Sequence, residues 1–535
     1  VKKVREELNL PIAIMLDTKG PEYRIKTFEN GKIMLNDGDE FSFTTEDIVG
    51  NQSRVSVTYA GLVDDISIGD RILVNNGLVI FEVIGKTDTD VKCKVIAGGE
   101  LSNRKSMSFP NKVLNQVYLS EQDKDDLLFG IQNNVDYIAA SFVSCRQDLI
   151  DLKEFLHANG GDGIDIIAKI ENRTGIDNIE DICEECDGIM IGRGDLGVEV
   201  PFTELPALQK YIITKCRLLG KRVITATEML ESMTHNIRPT RAEISDVANA
   251  IYDGTSAIML SGETAAGAYP VEALKTMSAI AERTEQEGFH LRGRMMDSNP
   301  GKISVSDATA HAACLTARDV NAAAIVTVSE SGTTARLLSK YRPQQPIIAC
   351  VMREQVQRQL SLSWGITPLM MSLAHSTDEL IEMSTALAKE NGYLHNGELA
   401  VVTAGVPVGV SGTTNMIKIH MVGNCLATGV GVGPENNDVA SGKACVCRTM
   451  DEVRAKFKPG MVLVVPSTSN EMLSFVRDAA ALVVEEPGLN SHAAIAGKAL
   501  LKPTIVGAVG ATSHIRDGLM IAVDCAHGSV QRLQG

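Results

Sequence analysis

A chain of 535 residues, 44% hydrophobic and 22% charged, is too long for one hydrophobic core and reads as three to four globular domains. A net charge of −16 and an aromatic content of 4% argue against nucleic acid and anionic membranes as partners, and they oblige any anionic substrate to be met by local cations and metal ions. No apolar run approaches the ~20 residues of a membrane span, no signal peptide opens the chain, and the 11 cysteines are scattered as in a reducing cytoplasm.

The chain starts at Val1 within an expected helix, and residues 11–30 and 111–286 then repeat one unit. An apolar run ends in a polar residue, and a helical segment follows. The runs end at Asp17-Thr18-Lys19, Ser141, Lys169-Ile-Glu171, Arg193-Gly-Asp195, Thr227-Glu228 and Ser261-Gly-Glu263. Near-continuous apolar runs predict parallel strands buried on both faces. Ser120 and Asp123 predict a capping box, Gly160 and Gly220 helix ends, and Pro270 a helix start. Polar residues at the end of nearly every strand favour a TIM-type (β/α) barrel over a doubly wound sheet, which would gather them at one switch point. About six such strands are legible where a closed barrel has eight, so the first two βα units are expected to be absent from this sequence. The catalytic barrel is therefore assigned residues 1–25 and 111–286.

Residues 26–110 change period. Glu40-Phe-Ser-Phe-Thr44 and Arg54-Val-Ser-Val-Thr58 alternate, and Asn76-Gly77 is a hairpin signal. A β-barrel-like domain inserted between a barrel strand and its next helix is placed as a lid. Residues 287–303 read as a linker inside an α/β domain spanning 287–424. A second linker, Gly431 to Ser441, lies within a last α/β domain, 425–535. Cys183 and Cys186 form a lone C-x-x-C, read as two half-buried helical thiols rather than a zinc site.

Lys169 and Glu171 point to the same side of one strand. A cation beside a carboxylate at a barrel rim suits an anionic substrate with a hard metal. Asp195 ends the next strand and adds a second carboxylate, the way Mg²⁺ is commonly held; the competing reading is a structural ion-pair network. Gly192-Arg-Gly-Asp-Leu-Gly197 matches G-x-G-x-x-G, but Cys216 to Gly220 supplies no acidic residue where a dinucleotide fold wants one. The turn is better read as backbone N–H groups facing an anion. Farther on, Ser329-Glu-Ser-Gly-Thr-Thr334 follows a strand and opens a helix, and Gly405 to Thr414 forms a second loop. Together they read as a phosphate nest, with ordinary caps and turns as the alternative.

Leu16-Asp-Thr-Lys-Gly-Pro-Glu22, Ala168-Lys-Ile-Glu-Asn172, Arg193-Gly-Asp-Leu-Gly197, Thr225-Ala-Thr227, Arg238-Pro-Thr-Arg-Ala-Glu243, Ser245-Asp-Val-Ala-Asn-Ala250 and Leu260-Ser-Gly-Glu-Thr-Ala-Ala266 stand in the order and spacing of pyruvate kinases. The resemblance covers residues 1 to about 424. It implies transfer of phosphoryl from phosphoenolpyruvate to ADP, giving pyruvate and ATP, by a cytoplasmic, allosterically regulated homotetramer. It implies that Lys169 neutralises the phosphoryl in flight, that Arg24 contacts it, and that Glu171 and Asp195 hold Mg²⁺ or Mn²⁺. Asp17 and Thr18 would help bind K⁺, and Glu22 matches members that need K⁺. Gly194, Asp195 and Thr227 would hold the substrate carboxylate, with Thr227, Ser261 and Glu263 near the proton path. A phosphorylated small-molecule effector would bind Thr327, Ser329, Ser331, Gly332, Thr333, Thr334, Arg336, Gly409 and Gly412, with Lys340 able to add charge. The chain departs from the family pattern at Asn75-Asn76-Gly77 in the lid, at Glu228, and at Phe109-Pro-Asn111. Glu485 to Gly507 resembles the swivelling domain of phosphoenolpyruvate-utilising enzymes, in which the position of His492 carries phosphate; a retained structural module is the favoured reading. The alternatives are another Mg²⁺-dependent pyruvate-enolate barrel enzyme, an aldolase or lyase, and a non-catalytic effector-binding fragment.

Overall fold

The structure, a computed structural model, describes residues 1–110, 112, 114, 117–287, 304–406, 414–423, 425–433 and 439–533. The chain divides into two compact units. The first comprises Val1–Ile303, Ala335–Gln344 and Arg353–Pro368, and the second comprises Ser304–Thr334, Gln345–Met352 and Leu369–Gly535.

The first unit is built on a six-stranded parallel sheet in the order Met15–Asp17, Tyr137–Ala140, Asp165–Ile170, Gly188–Gly192, Arg222–Ala226, Ala257–Ile258. Its apolar runs are continuous because both faces are covered. Ile138, Ala140, Ile166, Ala168, Ile170, Ile189 and Val223 pack outward beneath the helices. Tyr137, Ala139, Ile167, Met190, Ile224 and Ala226 pack on the inner face. Residue 169 shares the inner face with Ile167, so period two sends its side chain inward at the C-terminal rim. The expected helix signals are used: Ser120 and Asp123 form a reciprocal capping box, Gly160 and Gly220 take positive φ just past their helices, and Pro270 begins Pro270–Glu287.

The inserted domain is a seven-stranded sheet whose core holds Phe41, Phe43 and Phe81. Strands Arg71–Val74 and Val79–Lys86 pair antiparallel, and Asn75, Asn76 and Gly77 all carry positive φ in the connecting turn. The sheet begins three residues before the expected start at residue 26, since Tyr23–Arg24 pairs with Ser106–Ser108 and ties the lid's entry to its exit.

Residues 335–344 and 353–368 fall in the first unit, and buried polar contacts bind them there. Arg358 Nε donates to Asp136 (2.8 Å), Gln359 Nε2 to the carbonyl of Gly163 (2.9 Å), and Arg342 Nη2 to the carbonyl of Gly254 (3.0 Å). The supposed linker from Gly431 to Ser441 is strand at both ends. Val430–Val432 pairs with Thr504–Val506, and Val439–Val446 pairs with Met520–Asp524. In the second unit, Ala324–Val328, Ile347–Val351 and Leu399–Gly405 are parallel, Thr414–Met421 is antiparallel, and a separate eight-stranded mixed sheet carries the C-terminal residues. Cys183 lies on the helix Ile179–Glu185 and Cys186 just past it; both are fully buried, not half-buried, with Cys183 Sγ 3.6 Å from Cys216 Sγ. No described helix is long and apolar enough to cross a membrane.

Candidate active site

Three neighbouring strand ends bring Asp17, Ser141, Lys169 and Glu171 together. The Lys169 ammonium lies 2.8 Å from Ser141 Oγ, 3.1 Å from Asp17 Oδ1 and 3.2 Å from Glu171 Oε1. Burial works against its charge, but Glu171 and Asp17 outweigh it and the lysine pKa is raised. Glu171 is 2% exposed and accepts the Phe142 backbone N–H at 2.9 Å. Burial pushes its carboxyl up to about 7, with Lys169 pulling the other way. Gly192 faces this carboxylate: a Cβ there would sit 2.6 Å from Glu171 Oε1, so a side chain at 192 would push the Glu171 carboxylate from its place. Asp195 opens the helix Arg193–Glu199, and burial raises its pKa against the pull of Lys169.

Two carboxylates depleted of solvent, all-oxygen in character and facing one lysine, fit a divalent hard cation that takes its remaining ligands from substrate and water. No group of three or more metal-ligating side chains occurs among the described residues. Asp17 and Thr18 present oxygens on the adjoining strand. Thr18 Oγ1 donates to the Ala139 carbonyl (3.3 Å) and accepts the Ser141 N–H (3.2 Å).

Opposite this group, Thr227 Oγ1 accepts the Gly194 N–H at 2.9 Å and donates to the Ala226 carbonyl at 2.6 Å. Arg193 turns away from the rim. Its guanidinium donates to the Thr227 carbonyl (2.6 Å) and to Asp246 (2.7 Å), so it braces the Thr227 turn instead of facing an anion. Arg24 is paired with Glu22 at 2.5 Å and donates to the Arg104 carbonyl at 2.7 Å. Glu263 is fully buried, accepting the N–H groups of Leu230 (3.0 Å) and Ser261 (2.7 Å), and so serves as a brace for that turn.

Ser141, the Phe142 amide, Gly192 and Glu199 were not assigned roles from sequence. Ser141 had the signal, a polar residue ending a parallel strand; the others depend on contacts between strands far apart in the chain. Beside the rim is a cavity of about 240 Å³ lined by Glu22, Tyr23, Phe142, Asn172, Asp195 and Glu199, among others.

Farther along the chain, Thr327 is buried on its strand, Ser331 Oγ lies 3.0 Å from Thr333 Oγ1, Thr334 Oγ1 meets Thr414 Oγ1, and Gly332 takes φ +77° before the helix Thr333–Lys340. Ser329 N–H bonds the Cys350 carbonyl. Gly409 and Gly412 lie outside the described residues. Arg336 belongs to the first unit and faces Arg222, Asp165 and Asp187 there. It is therefore withdrawn from the loop group. His492 begins its helix, with Nδ1 2.8 Å from Thr468 Oγ1 and Nε2 3.0 Å from Asn470 Oδ1.

The family model for the pyruvate kinase barrel domain matches residues 1–274, and that for the pyruvate kinase alpha/beta domain matches 307–420. The chain belongs to the pyruvate kinase family. It is 45% identical over 534 residues to a pyruvate kinase of Geobacillus stearothermophilus, covering 99% of this chain and 90% of that one. It is also 45% identical over 537 residues to one of Bacillus licheniformis, covering 99% and 91%. A crystal structure of a Cryptosporidium parvum pyruvate kinase superposes with a TM-score of 0.74 at 37% identity, covering 79% of this chain and 86% of that one. The model for the mobile domain of PEP-utilising enzymes matches residues 457–528. Membership in the pyruvate kinase family makes the chain a phosphotransferase.

Proposed function

We propose that the rim moves the phosphoryl group of phosphoenolpyruvate to ADP, with Lys169, Glu171, Asp195 and Thr227 as its working residues. The observation that carries this reading is the Lys169 ammonium held between Asp17, Ser141 and Glu171 on the inner face of the sheet. The P–O bond to C2 of phosphoenolpyruvate breaks, a β-phosphate oxygen of ADP bonds to phosphorus, and the electron pair left on the enol oxygen becomes an enolate. Protonation at C3 then yields pyruvate. The transferred group carries its charge on equatorial oxygens, so catalysis here is positioning and charge neutralisation. Lys169 supplies a fixed cation whose charged form the neighbouring carboxylates favour. Gly194, Asp195 and Thr227 hold the substrate carboxylate on the turn braced by Arg193. Arg24 reaches the phosphoryl after leaving Glu22. Mg²⁺ or Mn²⁺ on Glu171 and Asp195 would supply Lewis-acid neutralisation of the phosphoryl oxygens. K⁺ would be held by oxygens of Asp17 and Thr18. In protonating the enolate, Thr227 and Ser261 stand as candidates ahead of Glu263, whose carboxylate is taken by backbone donors. Cytoplasmic location, a homotetramer and a phosphorylated effector bound at Thr327 to Thr334 complete the proposal; His492 is read as structural, its two ring nitrogens already engaged.

Asp195→Asn tests it. Pyruvate formation at saturating Mg²⁺ should fall by roughly 10²-fold or more, since one charged transition-state contact is lost. Unchanged turnover would remove Asp195 from the metal site.

A further inference from the structure

The strand Tyr137–Ala140 runs out into Ser141 and Phe142, and Phe142 takes φ +55°. A bulky aromatic residue in the left-handed region is strained and persists only where its surroundings hold it. The surroundings grip Ser141 on both sides. Its N–H donates to Thr18 Oγ1 (3.2 Å), and its carbonyl accepts the hydroxyl of the buried Tyr118 (3.0 Å). The chain at Gly20 passes so close that a Cβ there would sit 2.6 Å from the Ser141 carbonyl oxygen. The strained turn aims two groups at the rim. The Phe142 N–H donates to Glu171 Oε2 (2.9 Å), and Ser141 Oγ accepts the Lys169 ammonium (2.8 Å) while donating its own proton to Asp17 Oδ1 (3.2 Å). With that proton committed to Asp17, a lone pair of the hydroxyl faces Lys169.

We propose that Ser141 is a positioning residue for phosphoryl transfer, fixing the direction of the Lys169 ammonium through this turn. The inference rests on the reading of Lys169 as the cation that meets the phosphoryl group. Of the three side chains around the ammonium, two are carboxylates, Asp17 (3.1 Å) and Glu171 (3.2 Å), and both are the ones assigned to bound cations. A cation on either would offset its pull on Lys169 and repel the ammonium, as like charges a few ångströms apart do. Ser141 Oγ is neutral and carries no such assignment. It is therefore the fixed partner that keeps the ammonium at the rim when the carboxylates are occupied. A displaced ammonium costs rate, because charge neutralisation depends on a group already in place when the charge develops.

The test is steady-state kinetics of the full chain at saturating Mg²⁺ and K⁺, paired with calorimetric titration of Mn²⁺ alone without substrates. Ser141→Ala and Ser141→Cys, the second offering only a weak acceptor, should each lose roughly tenfold or more in kcat, the scale of one lost hydrogen bond to a charged group. KM for phosphoenolpyruvate should change less, since the contact serves the transition state. Both variants should bind Mn²⁺ as the parent does, because Glu171 keeps the Phe142 N–H and Asp195 is left in place. Parent kcat in either variant, a rise in KM larger than the loss in kcat, or Mn²⁺ affinity lost together with kcat overturns the proposal; the last would make Ser141 a structural support of the whole rim. Lys169→Ala tests the underlying reading separately. If it turns over like the parent, the role of Lys169 fails and this proposal with it. An inactive Lys169→Ala beside fully active Ser141 variants removes the role of Ser141 alone.

Discussion

Thr227 and Glu228 take φ of +68° and +54°, a left-handed pair that no glycine relieves. Each such residue stores about 1–3 kcal/mol of strain and persists only where its surroundings hold it. Arg193 is the holder: it donates to the Thr227 carbonyl through Nη2 (2.6 Å) and Nε (3.1 Å), and Asp246 fixes its far side (2.7 Å). Lysine has a point charge and no planar fork, so Arg193→Lys keeps the charge and loses the clamp. We expect a lower melting temperature, a loss of about 2 kcal/mol, and a higher KM for phosphoenolpyruvate as the Thr227 turn relaxes. Thermal melts and steady-state kinetics read both; an unchanged KM would show that the turn holds itself. The positions of Lys169 and Glu171 on one face were legible because strand periodicity fixes them. The direction of Arg193 was not, since its partners lie 16 to 53 residues away and only folding brings them close.

Among the elements, the helix Arg193–Glu199 links the rim to the lid. Asp195 opens it, and at its last residue the Glu199 carboxylate accepts the Phe109 backbone N–H and the Ser108 hydroxyl, where the lid's chain returns to the barrel. Burial pushes Glu199 up to about 7, in spite of these two bonds. A carboxyl that binds its proton more tightly folded than unfolded adds stability at low pH, and this is lost as pH rises from the ordinary carboxylate range to about 7. Glu199→Gln, which cannot ionise, should therefore melt increasingly higher relative to the parent between pH 5 and pH 7.5, by up to about 3 kcal/mol. A pH-independent difference in melting temperature would refute the shift. Glu199→Ala should in addition raise KM for ADP, because the lid exit loses its anchor beside Asp195. The parallel strands were readable from apolar runs and the lid from its period of two. The Gly431 to Ser441 segment was misread because its composition resembles a linker, while its strands are made by pairing with residues 504–506 and 520–524, which no local pattern records.

On the scale of the whole molecule, a net charge of −16 opposes two anionic substrates, so cations must be concentrated where anions bind. The proposed effector loop relies on a different device: hydroxyls of Ser331, Thr333 and Thr334 with backbone N–H groups at the start of the helix Thr333–Lys340. If a phosphorylated effector binds there and favours the conformation with higher affinity for phosphoenolpyruvate, the gain appears as a lower KM. Coupling of this kind is typically about 1–3 kcal/mol, a roughly 5- to 150-fold change in affinity. We expect Thr333→Ala/Thr334→Ala to abolish the ratio of KM without and with a saturating sugar monophosphate. Steady-state kinetics with and without the effector check this: a double variant that keeps the parent's ratio would remove the loop from regulation, because the residues that must differ in contact between two states are the residues whose removal uncouples them.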